Sequence, residues 1–232
     1  MSGENTTPSN PNNSGLDAKD FDYFSPRDVD NDGNNDVIHT RTFDGQVQVQ
    51  HLDDNGEVIL TEIDIDSDGI LETTVRSLDD TTAVMHQDTD GDGQADTAKV
   101  FDTQTNTTLH QDLIEDGVVV HSIVDADGDG IPDVELFDTD RDGTFDAVAV
   151  DSDKDGIPNS VFADTDGDGK LDLAKSDVDN TDGILETTVT AEDLGSDSFG
   201  SISDFADMVE YPAEGSFEAP AEEPGDDYGS EA

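Results

Sequence analysis

Asp164, Asp166, Asp168 and Asp172 place four carboxylates within nine residues of the stretch DTDGDGKLDLAKSD. Like charges at such separations repel, and the repulsion grows to several kcal/mol where screening is poor. The chain nevertheless makes this arrangement repeatedly. The pattern D-x-D-x-D-G-x-x-[DEN] begins at Asp28, with Asp30, Asp32 and Asp36, and again at Asp64, with Asp66, Asp68 and Glu72. It returns at Asp88, with Asp90, Asp92 and Asp96, and at Asp125, with Asp127, Asp129 and Asp133. Asp138, Asp140, Asp142 and Asp146 form the next copy, followed by Asp151, Asp153, Asp155 and Asn159. After the Asp164 copy, one with a single inserted residue carries Asp177, Asp179, Asp182 and Glu186.

A hard divalent cation is the charge that compensates such repulsion. Carboxylates at positions 1, 3 and 5 converge if the loop curls around a point, and Gly at position 6 permits the curl because it has no Cβ. Position 7 supplies a backbone carbonyl, Lys170 in the Asp164 copy, and position 9 closes the site. This is the oxygen set that Ca²⁺ takes, six to eight ligands at about 2.3–2.6 Å, whereas Mg²⁺ demands stricter octahedral geometry. Transition metals prefer His or Cys, and the chain has no Cys. The expected cofactor is Ca²⁺, about eight ions by the number of strong copies.

The copies from Asp125 to Asp177 follow one another every 13 residues. Weaker copies fall between the upstream ones, beginning at Thr40, His51, Ser77, Asp102 and Asp112. A coarser period of 26 is superposed, because GIP stands at 130–132 and 156–158 while the copies between carry GTFD and GKLD. Alternate units should therefore lie on two sides of one sheet. An EF-hand is excluded, since position 12 is Val75, Lys99, Leu136, Ala149, Phe162 or Lys175 rather than the required Glu. The segments after position 9, such as VELF, AVAV and SVFA, are short and partly β-branched and read as strands. The fold class expected is all-β: an elongated or curled antiparallel meander of short strands joined by calcium-binding loops. A parallel β-roll is the alternative.

The loop resembles those of FG-GAP repeats in integrin-type propellers, of dockerins and of bacterial thrombospondin type 3 repeats. Its 13-residue spacing is similar to that of Asp-rich actinobacterial repeat proteins of unknown function. The resemblance implies calcium at positions 1, 3, 5 and 9 of each strong copy, and it does not extend to a whole fold.

Composition bounds the rest. Asp and Glu number 60 against 9 Lys and Arg, for a formal charge of −51, and only 31% of residues are hydrophobic. Such a surface should repel nucleic acid and anionic membranes and attract cations. No apolar run is long enough to insert into a membrane. The first residues lack the basic and apolar regions of a Sec signal. Site chemistry suits an extracellular or cell-surface setting, and the missing signal a cytoplasmic one. The chain divides into an N-terminal arm at 1–20 read as disordered, a repeat region at 21–190, and an acidic tail at 191–232 also read as disordered. Within the tail, Ile202, Phe205 and Val209 have helical spacing, so 202–210 is a candidate helix and 201–211 a candidate partner-docking segment. His39, His86 and His110 read as exposed strand residues rather than zinc ligands. Asp177–Thr181 matches an aspartyl phosphotransferase motif, but the surrounding α/β pattern is absent. No nucleophile constellation or phosphate loop is found. The functional expectation is a non-enzymatic calcium-binding protein with a structural or adhesive role that folds on ion binding. The alternative is an intracellular calcium buffer or sensor.

Overall fold

A computed structural model describes residues 18–179 and 183–206. Fourteen strands form one open antiparallel meander in which each strand pairs with the one before it. They are β1 Tyr23–Arg27, β2 Val37–Arg41, β3 Val47–Leu52, β4 Val58–Asp64, β5 Thr73–Ser77, β6 Thr82–Gln87 and β7 Thr97–Asp102. The second half comprises β8 Thr108–Glu115, β9 Val118–Val124, β10 Val134–Phe137, β11 Ala147–Val150, β12 Ser160–Ala163, β13 Leu173–Ser176 and β14 Thr187–Thr190. The alternative of a parallel roll is overturned, since every pairing is antiparallel. A 13-residue unit explains why. A strand of four residues followed by a loop of nine reverses the chain, as in β10 and 138–146, and leaves no length for a crossover.

In a meander, successive connections alternate between the two ends of the strands. The Asp28, Asp125, Asp151 and Asp177 loops therefore share one rim of the sheet, and the Asp64, Asp88, Asp138 and Asp164 loops share the other. This is the origin of the 26-residue period. Two strands separate neighbouring loops on a rim, a distance of about 10 Å.

The main apolar cluster lies under the C-terminal third of the sheet, while Ile38, Val49, Leu52, Val84 and Val100 are buried in the N-terminal strands. Val134 is flanked by Val124 and Val150, and Leu136 by Ser122 and Val148, all on one face. Leu136 and Val148 are fully buried. The chain after β14 folds back over this face. Phe199 N–H donates to Leu171 O at 2.7 Å, Leu171 N–H donates to Gly200 O at 3.0 Å, and the rings of Phe162 and Phe199 meet at 6.1 Å. Ile202 is 5% exposed, and Phe205, in the short helix α1 Ser203–Ala206, packs against the same cluster. The helical spacing of Ile202 and Phe205 thus closes the chain's own core, while Val209 lies outside the described residues.

Elsewhere polar pairs link neighbouring strands. His51 Nε2 bonds Glu62 Oε2 at 2.7 Å, and His121 Nε2 bonds Glu135 Oε2 at 2.9 Å. The expectation that His110 is exposed is corrected. It is 4% exposed, with Nε2 at 2.7 Å from Asp112 Oδ1, which also accepts a hydrogen bond from the Ser122 hydroxyl. A ring whose nitrogen is hydrogen-bonded can be buried at less cost than one without a partner. The hydroxyl and the ring both bond the carboxylate, an arrangement that cross-links β8 and β9.

The weak copies make tight turns instead of loops. Asp79 Oδ1 accepts from Thr81 N–H at 2.7 Å and from Thr82 N–H at 2.9 Å. The Thr81 backbone bond, then the Thr82 and Thr81 side chains, hold the Asp79 carboxyl at about 2.

Two outcomes are expected. Leu136→Ala should destabilise the folded chain by about 2–5 kcal/mol, the cost of a buried leucine cavity, as measured by urea unfolding. Asp79 should titrate by NMR with a midpoint near 2. Because its folded value is depressed, the turn's contribution is present above the unfolded value of about 3.9 and is lost as pH falls through the folded one.

Candidate metal centres

Each loop is shaped by its own carboxylates accepting hydrogen bonds from its backbone. The position 1 carboxylate holds the curl. Asp125 accepts from Gly128 N–H at 2.7 Å and from Gly130 N–H at 2.7 Å, and Asp164 accepts from Gly167 at 2.8 Å and Gly169 at 2.6 Å. Asp28, Asp88, Asp138 and Asp151 grip position 6 of their loops in the same way. Position 9 closes the loop onto position 2. Asp36 accepts from Val29 N–H at 2.6 Å, Asp133 from Ala126 at 2.8 Å, Asp172 from Thr165 at 3.2 Å, and Glu186 from Val178 at 2.9 Å. Asn159 makes the same contact through its amide oxygen, to Ser152 at 3.3 Å. Asp96 and Asp146 add the hydroxyls of Thr89 and Thr139.

These bonds draw the ligand candidates together. Asp64, Asp66, Asp68 and Glu72 each place an oxygen within 4.8 Å of the others. So do Asp28, Asp30 and Asp32; Asp88, Asp90 and Asp96; Asp125, Asp127 and Asp133; and Asp138, Asp140 and Asp146. Three further groups occur among the described residues. The carboxylates at position 5 of three loops, Asp92, Asp129 and Asp142, stand outside these groups. Each instead accepts from the N–H two residues on, at 2.8, 2.9 and 2.8 Å respectively, as Asp32, Asp155 and Asp168 also do. In the Asp151 loop, Asp153 lies 3.5 Å from the Asn159 amide. In the last loop, Asp177 accepts from Gly183 N–H at 3.1 Å, Asp179 precedes the gap in the described residues, and Asp182 lies outside them.

The electrostatics separate two kinds of position. Burial pushes the Asp164 carboxyl up, but the N–H groups of Gly169, Gly167, Asp166 and Asp168 outweigh it and hold it below the usual range. The Thr89 hydroxyl, then its backbone, does the same for Asp96. Asp140 is pushed up instead, by the neighbouring charge of Asp142 first, then by burial and by Asp146. Asp164 is thus held by the backbone and Asp96 by Thr89, while Asp140, at position 3 of the Asp138 loop, feels the repulsion that a cation would relieve. The several carboxylate groups could hold metal ions.

Glycine at position 6 has φ from 83° to 100° in the seven loops from Asp28 to Asp164. In the Asp151 and Asp177 loops it also meets the preceding loop on the same rim. A Cβ on Gly156 would lie 4.0 Å from Ile131 Cγ2, and one on Gly183 only 2.8 Å from Ile157 Cγ2. Sequence reasoning missed this contact, although Ile at position 7 of loops 26 residues apart was its visible trace.

No family model matches the sequence, and no curated protein matches it. Among solved structures, a crystal structure of S. aureus TarM with fondaparinux, α-GlcNAc-glycerol and UDP aligns with 61% of this chain and 22% of its own length, at 10% identity. Its TM-score of 0.29 is too low to carry an argument about fold or activity.

Gly143→Ala should cost about 1–2 kcal/mol from its left-handed backbone alone, since nothing lies within 4 Å of the new Cβ. Gly183→Ala should cost more, and Ile157→Ala should remove the excess in a double-mutant cycle measured by urea unfolding. Equal costs for the two glycines would show that loops on one rim do not press on each other.

Proposed function

We propose that this protein is a calcium-binding repeat protein with a structural or adhesive, non-catalytic role, and that the ions complete its folding. The observation that carries the reading is Glu72 Oε1. It is a buried carboxylate oxygen with no hydrogen-bond partner among the described residues, in the group formed with Asp64, Asp66 and Asp68. Asp64 is itself only 2% exposed. An ionised oxygen removed from water and left unpaired costs several kcal/mol. A cation among these four carboxylates supplies the missing partner. The donors are all oxygen, which favours a hard ion, and flexible coordination favours Ca²⁺ over Mg²⁺.

The charge balance points the same way. About eight ions would carry the chain from −51 to about −35. The largest apolar cluster serves the C-terminal third of the sheet, and the N-terminal strands bury fewer apolar side chains, among them Ile38, Val49 and Val84, so burial alone gives them less to offset their ordering entropy. Binding free energy would then act as folding free energy. A structural rather than a sensing role is favoured by the use of Ile202 and Phe205 in the chain's own core, because a sensor would keep such side chains for a partner.

Circular dichroism and small-angle scattering in EDTA should show an expanded chain that becomes compact and β-rich on adding calcium. Glu72→Gln keeps the shape and removes the charge, and should weaken calcium binding at the Asp64 loop roughly tenfold in isothermal titration. A compact β signal indifferent to both chelator and calcium would sink the reading.

A further inference from the structure

Position 4 of each loop has a left-handed backbone: φ is 63° at Asn31, 65° at Ser67, 64° at Arg141 and 64° at Lys154, and glycine takes the place in the Asp88, Asp125 and Asp164 loops. At Ser67, Arg141 and Lys154 the side chain reaches out of its own loop to the preceding connection on the same rim, whereas the Asn31 amide donates to Val29 O within its own loop at 3.4 Å. Ser67 Oγ donates to Gly45 O at 3.2 Å. Arg141 pairs with Glu115 at 2.5 Å, one 26-residue step back. Both end on short turns. Lys154 ends on a loop instead. Its Nζ pairs with Asp127 and, at 3.1 Å, with Asp133. These are positions 3 and 9 of the Asp125 loop, and their oxygens are grouped with that of Asp125.

Building on the calcium reading, we infer that Lys154 is a tethered competitor for the Asp125 site, its ammonium bridging two of the carboxylates that a divalent ion needs. The contact is strong enough to raise the ammonium's pKa, through Asp127 first and then Asp133. The ion must displace it, so the Asp125 loop fills later than its neighbours. The neighbouring loop thereby sets the threshold of this one: Lys154 belongs to the Asp151 loop, and its position follows that loop's fold. On the opposite rim, Gly91 and Gly167 stand at position 4, so the Asp64 and Asp138 loops receive no such cation from their successors.

The test is a calcium titration of the full chain, wild type against Lys154→Met, following by NMR the amides of Gly130 in the Asp125 loop and Gly69 in the Asp64 loop. In the wild type, Gly130 should move at higher calcium than Gly69. Lys154→Met should lower the Gly130 midpoint roughly three- to tenfold, the scale of two partly exposed ion pairs, and leave Gly69 in place. Arg141→Met, which removes a charge at the same loop position whose partner Glu115 is not a ligand candidate, should leave Gly130 unchanged. An unchanged or raised Gly130 midpoint in Lys154→Met would overturn the inference while leaving the calcium reading intact. So would an equal shift at Gly69, which would mean a diffuse charge effect. If no loop amide responds to calcium in any variant, the calcium reading itself falls, and this inference with it.

Discussion

Backbone N–H groups closing on a carboxylate at the start of each loop are the interaction on which the rest of the sheet depends. Asp64, Asp125, Asp138 and Asp164 show it most completely, each holding the amides of positions 4, 5 and 6. A charge-assisted bond of this kind is stronger than one between neutral groups. It fixes the curl, and the curl fixes which residues emerge as the next strand. It also brings further carboxylates toward the first, so the force that shapes the loop concentrates the charge that threatens it. Loops about 10 Å apart on one rim are separated by little more than the screening length of physiological salt. A cation in one loop is therefore felt by the next.

The apolar core answers a different need. Position 8 of the Asp138 and Asp164 loops is Phe145 and Leu171, and both side chains join the cluster built on Leu136 and Val148. The corresponding residues on the other rim are Pro132 and Pro158. One rim thus closes the core and the other does not, although the loops share one carboxylate pattern. The segment from Phe199 to Phe205 covers what remains. The N-terminal strands bury Ile38, Val49, Leu52, Val84 and Val100, and also carry pairs such as His51 with Glu62, which satisfy polar groups at modest gain.

Much of this was legible in the sequence because period, loop and strand agree. Nine loop residues and four strand residues fit a reversal every 13, so an antiparallel order was favoured by the sequence, and the pairing in the sheet removed the parallel roll that the repeat alone had left open. The ligand positions were legible because each is defined by the chain within its own loop. What escaped was whatever depends on packing between units. His110 reads as a surface residue until Asp112 and Ser122 are placed around it. Ile202 and Phe205 show helical spacing, which says that they need a partner surface but not that Leu171 and Phe162 provide it. Lys154 reads as a variable residue in a variable position, and its reach to Asp127 depends on a left-handed backbone that no propensity assigns to lysine.

The sequential order of the sheet also governs how the chain can assemble. Every strand pairs with the one just before it, so the separation in sequence across each pairing stays near one unit. Sheets usually fold slowly because distant segments must find each other against the entropy of the intervening chain. Here that search is absent, and the sheet can grow hairpin by hairpin as the polypeptide leaves the ribosome. Growth by such steps has no intrinsic stopping point. In this array the chain after β14 leaves the growing edge and folds back over Leu171 instead of adding another unit.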